Sequence, residues 1–380
     1  MSIIIDQVPQ IFRRNLRCGI NFSLHSEPAR AKTSVLTQVA ERLIYEKKMD
    51  FWSVWNGGSL SPLDLSATIP NMTTGTLDRI HYGALPNAYD TPNLIGAVYI
   101  GEKGLVGLEA NRQLQKVINH EDYGDHKRPM RTPDGVIFVM DSNLITDKSG
   151  VQAQSRAVDS RSEHYVLRWE VEPYLRYAQA NFHPKLGAFL MRNPGQLDNY
   201  GVVFSPKQEP NSVMALEGKH GVWANMRTWD RLSRKLFDAD TTGEVLLPEE
   251  MNCVGVQCAT MFRTHLTLLD NLASIEDIIA NPKKAEVPKA SDGQFALSYM
   301  LSLMVRSTTF KPVVTYMRRM SNELQVVFLV SMNDRFMGEA KTSKDGATSN
   351  DAQKIFDSQE YVDWTEDPKI GGPLLAQLTR

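Results

Sequence analysis

HYVLRWEV, residues 164 to 171, is the stretch on which the reading of the fold turns. Tyr165, Leu167, Trp169 and Val171 alternate against His164, Arg168 and Glu170, with Val166 the one apolar residue on the polar side. A period of two is what a strand with one buried face requires. Outward from it lie AVYIG (97 to 101), GVIFVMD (135 to 141), GAFLMR (187 to 192) and GVVFS (201 to 205). All are β-rich, and Gly, Pro, Asn and Asp clusters separate several of them. No helical crossover of good quality stands between these segments, so an antiparallel arrangement is expected over a doubly wound sheet.

The flanks read as helical. In TSVLTQVAERLIYEKK, Val35, Leu36, Val39, Leu43 and Ile44 recur at three- and four-residue spacing, with Ser34 as the expected N-cap. NGGSLSPLDLSATIPNMTTGT reads as an extended connection. Further on, QFALSYMLSLMVR is apolar on nearly every face and predicts a buried helix. ELQVVFLVSM (323 to 332), short and β-branched, predicts a buried strand. DAQKIFDSQEYVDW predicts a last amphipathic helix. The expected fold class is therefore α+β, with helical N- and C-terminal parts around a β-rich, antiparallel middle segment. Its bounds are 1–94, 95–220 and 221–380, the two helical parts packing together.

Composition bounds the function. The chain has 380 residues, 42% of them apolar and 23% charged, which suits a folded core without staples. A net charge of −2 favours neither nucleic acid nor an anionic membrane, so polyanion binding would need a local patch. Three cysteines, Cys18, Cys253 and Cys258, argue against a disulfide framework and are expected as buried thiols. No signal-peptide core and no apolar run of membrane-spanning length is present, so a cytoplasmic protein is expected. Sixteen methionines fit core filling or an adaptable contact surface.

FDADTTGEVLLPEEM, residues 237 to 251, offers a candidate metal site. Asp238, Asp240 and Thr242 stand at the first three ligand positions of a twelve-residue calcium loop. Gly243 makes the turn, Glu244 supplies a carbonyl and Glu249 closes the loop. This stretch resembles an EF-hand loop, and the resemblance implies calcium as the ion. Against it, Asp230, Ser233 and Arg234 fall where the incoming helix should be apolar, and no second loop pairs with it. The competing reading is an Asp-rich helix end with Gly243 as its left-handed stop. His120, Asp122, Asp125 and His126 form a second candidate, opposed by Lys127, Arg128 and Arg131 in the same stretch.

Other chemistries lack their signatures. GAVYIGEKGLVG (96 to 107) has glycines spaced nearly as a phosphate loop, but Glu102 stands where the lysine is needed. Neither a GxGxxG nor a GxSxG segment occurs. Arg13, Arg14 and Arg17, and Lys127, Arg128 and Arg131, are the candidate nucleic-acid contacts. Three function classes follow. The first is a self-assembling structural protein, a viral capsid or nucleocapsid subunit, whose partners are copies of itself and whose compartment is the virion. Its layout resembles shell proteins of double-stranded RNA viruses at the level of layers alone. The second is an enzyme without a linear signature, hydrolase-like and metal-assisted through the 120–126 cluster. The third is a calcium-dependent binding module centred on 238–249.

Overall fold

The structure is a computed structural model and describes residues 1–61, 67–71, 76–80, 86–122, 130–144, 160–199, 223–342 and 349–378. The chain divides into two compact units, Met1–Glu170 and Val171–Arg380.

The first unit is an α/β layer structure. Its strands are β1 (Ser2–Ile3), β2 (Phe22–Ser26), β3 (Phe51–Asn56), β4 (Ala67–Asn71), β5 (Thr76–Ile80), β6 (Gly96–Gly101), β7 (Val136–Asn143) and β8 (Glu163–Leu167). Six of them form one sheet in the order β1-β8-β2-β7-β6-β3, and every pair is parallel. β4 and β5 make a separate antiparallel hairpin. The antiparallel middle segment, and with it the α+β class, is therefore corrected to a parallel α/β sheet. Strands from residues 2 to 167 build that sheet together, so no β insertion is set between helical parts.

Burial explains the correction. β6 and β7 are buried along nearly their whole length, on both faces, as parallel strands sandwiched by helices are. On one face Phe22, Leu24, Ala97, Tyr99, Ile137 and Val139 pack with α1 (Val8–Cys18) and α2 (Lys32–Tyr45). On the other, Val98, Ile100, Val136, Phe138 and Met140 pack with the helix Leu108–Ile118. The alternation in HYVL is real, with Tyr165 and Leu167 buried and Val166 exposed. It arises because β8 lies next to the sheet edge, covered by the two-residue strand β1. Asn21, buried, ties two elements together: its Nδ2 donates to the Ile118 carbonyl at 3.1 Å and its Oδ1 accepts from the Phe138 N–H at 2.7 Å.

Among the described residues the second unit is helical. GAFLMR lies in the helix Pro184–Arg192, and ELQVVFLVSM lies in the 21-residue helix Asn322–Thr342, so both strand expectations are corrected. QFALSYMLSLMVR falls largely in the buried helix Ser291–Met304. Phe328 and Trp364 stack at 5.5 Å in the main core, and Trp364 Nε1 donates to Gln325 Oε1 at 2.8 Å. Arg335 is 2% exposed and donates to the Leu303 and Val305 carbonyls, completing the C-terminal end of Ser291–Met304. No described helix is long and apolar enough to cross a membrane. GVVFS lies outside the described residues.

Candidate functional site

In an open parallel sheet, ligands bind at the carboxyl ends of the strands where the chain reverses its direction of winding. Here that place lies between β2 and β7. From β2 the chain runs through α2 on one face to the edge strand β3. It then returns through β6, the helix Leu108–Ile118 on the opposite face, and β7.

The segment leaving β2 is Ser26-Glu27-Pro28-Ala29-Arg30-Ala31-Lys32-Thr33. Its spacing is that of a phosphate loop, GxxxxGK[ST], with serine and alanine where that pattern has glycine. The context is also that of a phosphate loop: a central parallel strand, a short loop, then a helix whose first turn carries the lysine and the hydroxyl. Ala29 (φ 61°) and Ala31 (φ 57°) both take the left-handed conformation that favours glycine. Such alternation of hand turns successive N–H groups into an anion-binding concavity. The loop thus keeps a glycine-type backbone without the glycines.

Lys32 is 7% exposed. Its Nζ donates to Ser26 Oγ at 2.9 Å, the Glu27 carbonyl at 3.3 Å and Asn143 Oδ1 of β7 at 3.1 Å. Neutral oxygens of this kind orient an ammonium and leave its charge in place. Within the loop Glu27 accepts from Arg30, whose guanidinium lies 4.2 Å from the centre of the Trp169 ring. Lys32 therefore stands at the base of the loop, and the loop's own carboxylate is matched by its own arginine.

The neighbouring strands supply the remaining polar groups. Thr33 Oγ1 lies 2.8 Å from the Tyr99 hydroxyl. Tyr99 is 2% exposed and stacks on Trp52 at 5.4 Å. Burial, followed by the charge of the nearby Asp141 carboxylate, holds the phenol well above its ordinary pKa. Asp141, buried in β7, accepts from the Glu102 N–H at 2.7 Å. The Glu102 side chain is exposed at the carboxyl end of β6.

These residues suit a phosphate chain: a sequestered ammonium, a left-handed loop and the N-terminal turn of α2, whose partial positive charge favours anions. They do not suit the usual seat of the divalent ion that accompanies nucleotide phosphates. That ion is held by the hydroxyl after the lysine and by a strand-end carboxylate. Thr33 provides the hydroxyl and β7 the Asp141 carboxylate, but the Tyr99 phenol stands against Thr33 and over Gly101 at the end of β6.

The residues singled out in the sequence lie elsewhere. Asp238, Asp240 and Thr242 belong to the helix Met226–Thr242, so the first three positions of the calcium loop follow a helical path. Asp240 Oδ2 is 2.8 Å from His183 Nε2, and Thr242 Oγ1 donates to the Asp238 carbonyl at 3.0 Å. Gly243 ends the helix at φ 75°, Glu244 follows it, and Glu249 lies in a separate helical turn, Pro248–Met251. No group of three or more metal-ligating side chains converges among the described residues. Arg13, Arg14 and Arg17 lie on α1, and Arg131 pairs with Asp134 at 3.2 Å. Lys127, Arg128, Asp125 and His126 lie outside the described residues. His120 faces the Thr132 carbonyl, and Asp122 accepts from the Tyr89 hydroxyl. Cys18 is exposed rather than buried. GAVYIGEKGLVG forms β6 and the turn after it.

The layout that suggested a shell protein is absent. The parallel sheet sets aside the capsid and virion reading and favours the enzyme alternative. No family model matches the chain, and no curated protein matches it. Among solved structures the chain is similar to a protein of Cytophaga hutchinsonii called a "putative ATPase". The identity is 12% and the TM-score 0.33, over 70% of this chain and 90% of that one. A likeness at that level carries no argument about fold or activity.

Proposed function

We propose that the first unit is a nucleoside-triphosphate-binding module whose phosphate site is the 26–33 loop. The observation that carries this reading is Lys32: buried at the first turn of α2, its ammonium held at the loop's centre by Ser26 and by Asn143 of the adjoining strand. On binding, the ammonium exchanges these neutral oxygens for phosphate oxygens, a charge-assisted contact that is stronger. The loop N–H groups and the start of α2 take the remaining phosphate charge. Exposed Glu102, at the carboxyl end of β6, is the group placed to accept a proton from an attacking water.

Titration of the full chain with ATP tests the assignment. Lys32→Ala is expected to weaken binding by about a hundredfold, the scale of one lost charge-assisted contact. Thermal unfolding measured on the same sample separates this from misfolding. Equal affinity in wild type and Lys32→Ala would dismiss the site. Phosphate release from ATP, slowed by Glu102→Gln while affinity holds, would locate the hydrolytic carboxylate.

A further inference from the structure

The mismatch at the divalent-ion seat has a definite geometry. β6 and β7 pair with Tyr99 opposite Val139 and Ile100 opposite Met140, which sets Gly101 opposite Asp141. Tyr99, Gly101, Val139 and Asp141 thus share the face of the sheet on which α2 and Thr33 sit. A Cβ built at Gly101 would stand 3.2 Å from the Tyr99 ring and 3.2 Å from its hydroxyl. The phenol therefore fills the space into which a carboxylate at position 101 would project. From there it reaches Thr33 Oγ1, at 2.8 Å, on the sheet face that also carries Asp141. Hydroxyl and carboxylate are the two kinds of protein group that a divalent ion normally joins. Here a neutral phenol occupies the hydroxyl, on the sheet face that carries the carboxylate.

We propose that the Tyr99 phenol takes the place of the divalent ion, holding the Thr33 hydroxyl and filling the space over Gly101 on the face that carries Asp141, so that the loop binds nucleoside triphosphate equally well with or without magnesium. The proposal rests on the phosphate-loop reading above. Its chemistry is consistent with the surroundings. The phenol is buried and the Trp52 stack fixes its ring, so its contact with Thr33 persists when phosphates arrive and leave.

The test is ATP titration of the full chain in excess EDTA and in excess magnesium, for wild type, Tyr99→Phe and Lys32→Ala, with melting temperatures recorded for each. Wild type is expected to give dissociation constants within about threefold of each other in the two buffers, a difference well below the loss of one ion contact. Tyr99→Phe frees the Thr33 hydroxyl, on the face that carries Asp141, for a cation. It is expected to make binding tighter in magnesium than in EDTA by about tenfold or more. Wild-type binding that weakens about tenfold or more in EDTA would overturn the proposal and leave the phosphate-loop reading standing. A Tyr99→Phe protein as indifferent to magnesium as wild type would also overturn it. Absence of ATP binding in both buffers, or Lys32→Ala binding as wild type does, would instead remove the underlying reading.

Discussion

Ala31 shows how a residue's identity and its backbone can disagree. It occupies φ 57° as the residue before α2, a conformation that costs an L side chain about 1–2 kcal/mol. Ala29 repeats the arrangement two residues earlier. A glycine at either position would relieve that strain, at the expense of greater freedom in the unfolded chain. Ala31→Gly is therefore expected to leave stability unchanged or raise it by up to about 1 kcal/mol, where an ordinary alanine to glycine change would lower it. Denaturant unfolding of the two proteins decides the matter; a loss of about 1 kcal/mol or more would show that the loop carries no such strain. The same disagreement explains why the site was hard to read in the sequence. A search for phosphate loops keyed on glycine settles on GAVYIGEKGLVG and passes over Ser26 to Thr33. The legible signal is the Lys-Thr pair between a short strand and an amphipathic helix. It becomes specific only once that strand is placed at the middle of a parallel sheet. Asp141 ends GVIFVMD, and strand order rather than sequence spacing brings it to the face that carries Tyr99.

At the scale of elements, period and length decide what can be read. α2 is legible because its apolar positions recur every three or four residues and its C-terminal end is solvated. β6 and β7 were legible as strands but not as parallel ones. Their unbroken burial is the parallel signature, and the half-buried alternation of β8 reports its place near an edge rather than the sheet type. The missed crossover, Leu108–Ile118, begins after Gly107 without a side-chain cap. The helix containing ELQVVFLVSM was misread because a short apolar run looks alike in a buried helix and a buried strand. Its 21-residue length and its polar continuation NDRFMGEAKT are the features that favour a helix. Packing between turns gives this scale its own prediction. A Cβ at Gly57, in the turn after β3, would come within 2.7 Å of the Glu102 carbonyl and 2.8 Å of the Gly101 carbonyl. Backbone at that distance has to move, so Gly57→Ala is expected to destabilise the first unit by about 1–3 kcal/mol, the usual range for overpacking. Because the displaced backbone carries Glu102, phosphate release should fall in the same variant. Unchanged unfolding would mean that the β6 turn yields freely.

Across the whole molecule, two compact units allow two unfolding transitions, and acid should separate them. His265 is 5% exposed in the second unit, among Phe189 at 5.7 Å and Phe262 at 6.4 Å. Burial first, and the positive charge of Arg192 second, push its pKa down to about 4 from 6.5. The unfolded chain therefore binds a proton below pH 6.5 that the folded unit refuses until about pH 4. Stability from this group is fully present above the unfolded value, falls as pH drops across that window, and levels off beneath it. The full loss is on the order of 3 kcal/mol, at 1.36 kcal/mol for each pKa unit. His183, also buried and also held below its ordinary value, acts with the same sign. His265→Leu removes the group, so its stability curve should converge on wild type, or pass above it, as pH falls from 7 to 4.5. Calorimetry at several pH values should show the wild-type transition of the second unit moving to lower temperature faster than that of the variant. Parallel shifts of the two proteins over that range would mean that His265 titrates normally in the folded state. Acid lability of the second unit would then have to come from His183 and the carboxylates.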